Sequence, residues 1–196
     1  MILKIRQVGE QILRQKARPL STDEILDRST QELIESMRET MHDAPGVGLA
    51  APQIGYSLQL MVIEDQEEFI QKLPAEQVIE RERRPVPFQV LINPKLTLQG
   101  SESAEFFEGC LSLAGFTAVV PRAKQVRVEC LNERAETVTI EATGWYARIL
   151  QHEIDHLGGV LYVDRMNSCT FFTQDNYVRH WKDTAIAEVT GYDELG

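Results

Sequence analysis

The sequence predicts an α+β fold in which antiparallel or mixed β-sheets pack around one central helix, in a single domain over residues 1–196. Three observations carry this expectation. Val126, Val128 and Cys130 alternate with Arg127 and Glu129, and Val138, Ile140 and Ala142 alternate after a short polar turn, Asn132 to Glu136, which is the pattern of a half-buried hairpin. Directly after it, Thr143 stands as an N-cap before GWYARILQHEIDHL, a helical run that stops at Gly158 and Gly159. Finally, a chain of 196 residues makes one domain and buries roughly 70% of its unfolded surface, so it needs neither disulfide nor metal to hold a core. A bound metal in such a chain is chemical rather than structural.

The other elements follow in order. Residues 22–43 place Leu33, Ile34, Met37 and Met41 on one helical face, with charges opposite, and the pattern stops at Asp43-Ala44-Pro45-Gly46. GVGLAAPQIG at 46–55 is small, apolar and Gly-rich, with one amide side chain, Gln53. LQLMVI at 58–63 reads as a buried strand, and QVLINP at 89–94 as another. Between them, residues 64–88 are dense in charge and carry three prolines, the composition of an exposed insertion with a short helix. EFFEGCLSL at 105–113 is expected to enter a loop and leave as extended chain. Residues 165–196 form a C-terminal tail, in which 170–187 read as a last amphipathic helix.

Composition narrows the function. A net charge of -10 argues against a broad phosphate-binding face, so no direct reader of nucleic acid is expected. The 43% hydrophobic and 26% charged residues are ordinary globular values. Three cysteines, Cys110, Cys130 and Cys169, without CxxC pairs point to a reducing compartment. The N-terminal segment lacks the apolar run and small-residue cleavage site of a secretory signal, and nowhere do 18 apolar residues run together, so no membrane span and a cytoplasmic setting are expected.

The strongest local signal is His152-Glu153-Ile154-Asp155-His156. Two histidines four apart on a helix share a face and can bind one ion, and the intervening Glu reaches a water on that ion. A catalytic site of this kind needs a third protein ligand and an open position. The metzincin pattern fails, because Tyr162 stands where its last His belongs. His180 and Glu188 lie downstream as in other zinc peptidases, and a closed structural zinc would need Cys130 or Cys169 to join Cys110. Cys110, in Glu-Gly-Cys-Leu-Ser, is better placed: Gly109 lets the backbone approach closely and a thiolate is a strong soft ligand.

Three motifs together, GVGLAAPQ at 46–53, EGCLS at 108–112 and QHEIDHL at 151–157, resemble those of peptide deformylase, from about Ile5 to about Asp164. The stretches GFTAVVPR at 115–122, GWYARILQHE at 144–153 and VDRMNSCTFF at 163–172, with the insertion at 64–88, resemble the mitochondrial-type branch. The resemblance implies hydrolysis of the N-formyl group from N-terminal formylmethionine of new polypeptides, with metal-bound hydroxide attacking the formyl carbon and formate released. It implies that Cys110, His152 and His156 hold the metal and that Glu153 is the general acid/base. Ligand softness alone points to zinc, whereas the resemblance implies Fe²⁺, replaceable by Zn²⁺, Ni²⁺ or Co²⁺. The Gln53 side chain and the Leu111 backbone N–H are implied as donors to the oxyanion. Gly48 would pair with the substrate backbone, Gly109 would allow its approach, and Val47, Trp145, Arg148 and Ile149 would shape the methionine pocket. Glu108 and Asp155 are candidates to orient the histidines, with Arg122 pairing either acid. Formylmethionyl nascent peptides and transient ribosome contact follow as partners, in a bacterial cytoplasm or, for a mature processed form, an organellar matrix. The acidic end, DELG, shows no basic docking helix.

Overall fold

The structure, a computed structural model, describes residues 1–191; the DELG end lies outside the described residues. Among the described residues, eight strands form two antiparallel sheets. The larger has the order β1-β2-β3-β6-β7, made of Gly48–Ala50, Leu60–Asp65, Val86–Leu98, Gln125–Leu131 and Thr137–Thr143. The smaller has the order β4-β5-β8, made of Ser103–Glu108, Phe116–Ala123 and Phe172–Thr173. The predicted hairpin is β6–β7, with Val128 opposite Ile140 and Cys130 opposite Val138.

The helical region 22–43 divides at Asp27 into α1 (Thr22–Leu26) and α2 (Arg28–Asp43). Asp27 takes an extended conformation and its carboxylate caps Ser29 N–H, so a helix-capping side chain breaks what periodicity alone joined. The segment 64–88 carries two short helices, α3 (Glu67–Ile70) and α4 (Ala75–Glu80). Its ends are built into strands β2 and β3, and Asp65, Ile70 and Val86 are buried. The expectation for 105–113 is reversed: β4 comes first and the chain then turns at Cys110–Leu113. GFTAVVPR is itself a strand, β5, whose residues 117–120 are all buried, so it shows no alternation. Residues 170–187 are not one amphipathic helix. They hold the strand β8 and then a shorter helical stretch over 174–181, and Phe172 and Tyr177 pack on Phe107 with ring centroids 6.0 and 4.6 Å away.

The central helix is α5 (Gly144–Leu157). Thr143 occupies its N-cap position with extended dihedrals, but its side chain makes no capping hydrogen bond. Ala147, Ile149, Leu150 and Leu157 join the apolar core of β2, β3, β6 and β7. Burying each of the larger aliphatic side chains contributes about 1.5–3 kcal/mol, so α5 is fixed on the sheet before any polar contact is counted. None of the described helices is long and apolar enough to cross a membrane.

Candidate metal centre and substrate cleft

The helical pitch brings His152 and His156 side by side, with ring centroids 5.0 Å apart. The turn after β4 delivers Cys110 to the same point, where its Sγ lies 3.3 Å from His156 Nε2. One ligand atom from each of Cys110, His152 and His156 lies within 4.8 Å of the others, and this is the cluster of that kind found among the described residues. His180 and Glu188, the downstream candidates, are not in it, and neither is Cys130 or Cys169. The donor set fits a first-row divalent ion: one thiolate and two imidazoles, with a fourth position left to water or substrate. His156 Nδ1 and Glu153 Oε2 are buried without a hydrogen-bond partner among the described residues. Polar atoms of this kind are normally satisfied by something.

The surrounding charges hold His152 in place. Glu108 is buried and faces one imidazole and two guanidinium groups. His152 Nδ1 lies 3.0 Å from its Oε2, Arg122 donates to both its oxygens at 2.9 Å, and Arg148 donates to Oε1 at 2.6 Å. A proton on Nδ1 directed at Glu108 leaves His152 Nε2 as a lone-pair donor for an ion. Arg122 also pairs with Asp155, and Arg165 holds the same carboxylate through two bonds of 2.7 Å. Burial alone would raise the Glu108 carboxyl, but hydrogen bonds from His152 and Arg122 outweigh it and hold the group well below the usual carboxylate range. Arg148, buried against Glu108, is not a solvent-facing arginine, and burial pushes it down to about 10. Glu153 differs from Glu108. Burial without a partner cation in contact pushes its carboxyl up to about 7.

Gln53 sits on the 3₁₀ turn after β1, its side chain 1% exposed. Its carbonyl oxygen accepts from Ala50 N–H at 2.8 Å, which turns the amide nitrogen toward Cys110 Sγ at 3.5 Å and Ser112 Oγ at 3.2 Å. The N-terminal segment staples this region. Arg6 N–H donates to Gln53 O at 2.7 Å, Val8 N–H to Ser112 O at 2.8 Å, and the Gln7 amide to Leu111 O at 3.0 Å. Sequence reading missed this strap, since two of its three contacts are between backbone groups and leave no side-chain signature.

These groups open on one cleft of about 750 Å³. Cys110, His152, Glu153, Gln53 and Leu111 line it at one end, and Trp145, Arg148 and Ile149 line it further along α5. Val47, Gly48 and Gly109 also border it, while His156 is buried behind. Gly48 lies on β1, the edge strand of its sheet, and a Cβ there would collide with the Glu153 carboxylate. Arg83, Phe116 and Gln174 line the cleft too and were not singled out from the sequence.

The family model for polypeptide deformylase matches residues 2–171. The chain belongs to the polypeptide deformylase family. Among curated relatives, chloroplastic peptide deformylase 1A of Solanum lycopersicum is 46% identical over 172 residues, 88% of this chain and 62% of the relative. The chain therefore spans less than two thirds of that protein's length. Mitochondrial peptide deformylase of Homo sapiens is 41% identical over 84% of this chain and 68% of its own. Among solved structures, the deformylase of Synechococcus elongatus in complex with actinonin aligns with a TM-score of 0.71 and 37% identity, covering 85% of this chain and 79% of that one. The Met-Ala-Ser-bound deformylase from Acinetobacter baumannii aligns with a TM-score of 0.75 and 32% identity, covering 85% and 99%.

Proposed function

We propose that this deformylase-family chain hydrolyses the N-formyl group of formylmethionyl peptides, with one Fe²⁺ held by Cys110, His152 and His156. The carrying observation is the convergence of that donor set with Glu153 and the Gln53 amide on one cleft. When bound, the ion lowers the pKa of a water and polarises the formyl oxygen. As a water's oxygen bonds to the formyl carbon, Glu153 would take its proton and pass it to the amine nitrogen, so that the C–N bond breaks and formate and a free N-terminus form. Its unpaired, buried carboxyl, raised toward neutral pH, suits a group that must hold a proton and then release it. The Gln53 amide and the Leu111 N–H donate to the formyl oxygen as it gains charge. Glu108 and Arg122 keep His152 in one orientation.

The substrate backbone adds to the free edge of β1 beside Gly48 and passes Gly109, and the first side chain points toward Val47, Trp145, Arg148 and Ile149. Such substrates arise on ribosomes, so ribosome contact is transient and through the nascent chain. The compartment is a bacterial cytoplasm or an organellar matrix, which the names of relatives such as the mitochondrial human protein support. Zn²⁺, Ni²⁺ or Co²⁺ would occupy the same donors.

The test is to purify the protein without oxygen, measure bound metal, and assay formate release from formyl-Met-Ala-Ser beside cleavage of an unblocked peptide. Formate release proportional to bound iron is expected. Cleavage of the unblocked peptide without formate release would overturn the proposal.

A further inference from the structure

The cleft has a second set of charged groups, at the end of α5 opposite the histidines. Trp145 stands seven residues before His152, about 10 Å along the helix axis. Its indole Nε1 is buried with no hydrogen-bond partner among the described residues, so packing and stacking hold the ring. Three guanidinium groups lie on it: Arg81, Arg83 and Arg148, with CZ to ring-centroid distances of 5.0, 5.2 and 5.8 Å. Phe106 meets the same ring edge-on at 6.3 Å.

Arg81 and Arg83 both come from the charged segment 64–88. Of the two, Arg83 is anchored. Its Nε and Nη2 donate to the two oxygens of Asp65 at 2.8 and 2.9 Å, and Asp65 is 1% exposed at the end of β2. A planar fork on a buried carboxylate fixes the guanidinium in direction as well as position. Glu82, between the two arginines, has φ +48°, a left-handed conformation that a non-glycine residue adopts only when its surroundings require it. The start of α5 rests on this turn: Trp145 N–H donates to Arg81 O at 2.9 Å. Gly144, at φ +58°, has no room for a Cβ, which would meet Glu82 Cβ at 2.5 Å.

We infer that Arg83, held by Asp65, is a positioning residue for substrate selection. It fixes Trp145 as the end wall of the side-chain pocket and so sets the size of first residue the enzyme accepts. The segment 64–88 is then part of the binding site, carried from outside the core to close the cleft. Arg83 itself borders the cavity, so its guanidinium adds a polar rim beside the indole. The inference rests on the deformylase reading only for the identity of the substrate. The clamp on Trp145 is a matter of this chain's own contacts.

Arg83→Lys is the discriminating variant, because it keeps a cation beside Asp65 but loses the planar fork. Trp145→Leu removes the wall directly without touching the buried pair. Formate release is measured for formyl-Met-Ala-Ser and formyl-Phe-Ala-Ser, with kcat and KM determined separately and the melting temperature recorded. For both variants the preference for methionine, as a ratio of kcat/KM, is expected to fall about tenfold, the scale at which apolar pockets discriminate. The change should lie in KM, rising for the methionine peptide and falling for the phenylalanine one. Equal losses on both peptides, or a changed ratio in Trp145→Leu with an unchanged one in Arg83→Lys, would overturn the inference.

If the wild-type protein releases no formate from either peptide, the deformylase reading fails instead. Calorimetric titration with Met-Ala-Ser and Phe-Ala-Ser then decides the pocket separately. A wild-type preference for the former that Arg83→Lys loses supports it, and equal binding by both proteins contradicts it.

Discussion

The two ends of α5 are held in different ways. At the His152–His156 end, three arginines and three carboxylate or imidazole groups share hydrogen bonds in a buried network around Glu108 and Asp155. At the Trp145 end, three guanidinium groups lie over an indole; Arg83–Asp65 ties one of them to the sheet, and Arg148–Glu108 joins the arrangement to the first end. At the first end the partners are shared: removing Glu108 takes the common carboxylate from two buried guanidinium groups, Arg122 and Arg148, at several kcal/mol. The second can yield by turning a ring, which changes what fits rather than whether the fold survives. The proposed chemistry lies at the first end and the inferred selection at the second.

The comparison is broken most severely at Glu153. Glu153→Ala removes the proposed proton carrier but none of the proposed metal ligands, and a loss of about 10²–10⁴-fold in kcat is expected with the ion retained. Cys110→Ala should act differently, by losing the ion, which metal analysis of the purified variant reads directly. Full occupancy in that variant would contradict the assignment.

Next comes Glu108→Gln. It leaves Arg122 and Arg148 with a neutral partner in a buried site, and destabilisation of about 3–5 kcal/mol is expected from denaturant unfolding at pH 7. The sign with pH follows from the depressed carboxyl. A carboxyl held below its unfolded pKa of about 4.3 contributes stability that is full above that pH and is lost as pH falls toward the folded value. The gap between wild type and Glu108→Gln should therefore be constant above about pH 4.3 and shrink below it. A gap that stays constant down to pH 2 would show that Glu108 acts through packing rather than charge.

The smallest effect marks the background. Arg127 pairs with Glu141 across the exposed face of the β6–β7 hairpin at 3.1 Å. Arg127→Ala should change stability by less than about 1 kcal/mol, because exposed pairs are screened and flexible. A larger loss in the same unfolding assay would mean that the hairpin, and not the polar network, dominates stability near α5.

The two ends also differ in how far the sequence reveals them. His152, Glu153 and His156 are legible because one helical turn puts them together, and Cys110 because Gly109 and Ser112 frame it in a short motif. The β6–β7 hairpin is legible from strict alternation. Strand β5 is not, since both its faces are covered and the alternation vanishes. Arg83–Asp65 is hidden for another reason. Residues 64–84 hold several acids and arginines of equal standing, and only the tertiary turn at Glu82 decides which pair meets. The burial of Arg148 is not legible either, because its partner Glu108 lies 40 residues away in sequence. The break at Asp27 was readable in principle, since Asp followed by Arg-Ser is a capping signal that the apolar periodicity outweighed.

The central proposal is that Cys110, His152 and His156 would hold an ion and that Glu153 would move the proton of the attacking water. The most direct measurement is formate released per bound ion, for wild type and Glu153→Ala, each purified without oxygen and loaded with iron. The account predicts about one ion per chain in both proteins, with turnover lost only in the variant. Equal turnover per ion in the two proteins, or a variant that binds no metal, would contradict it.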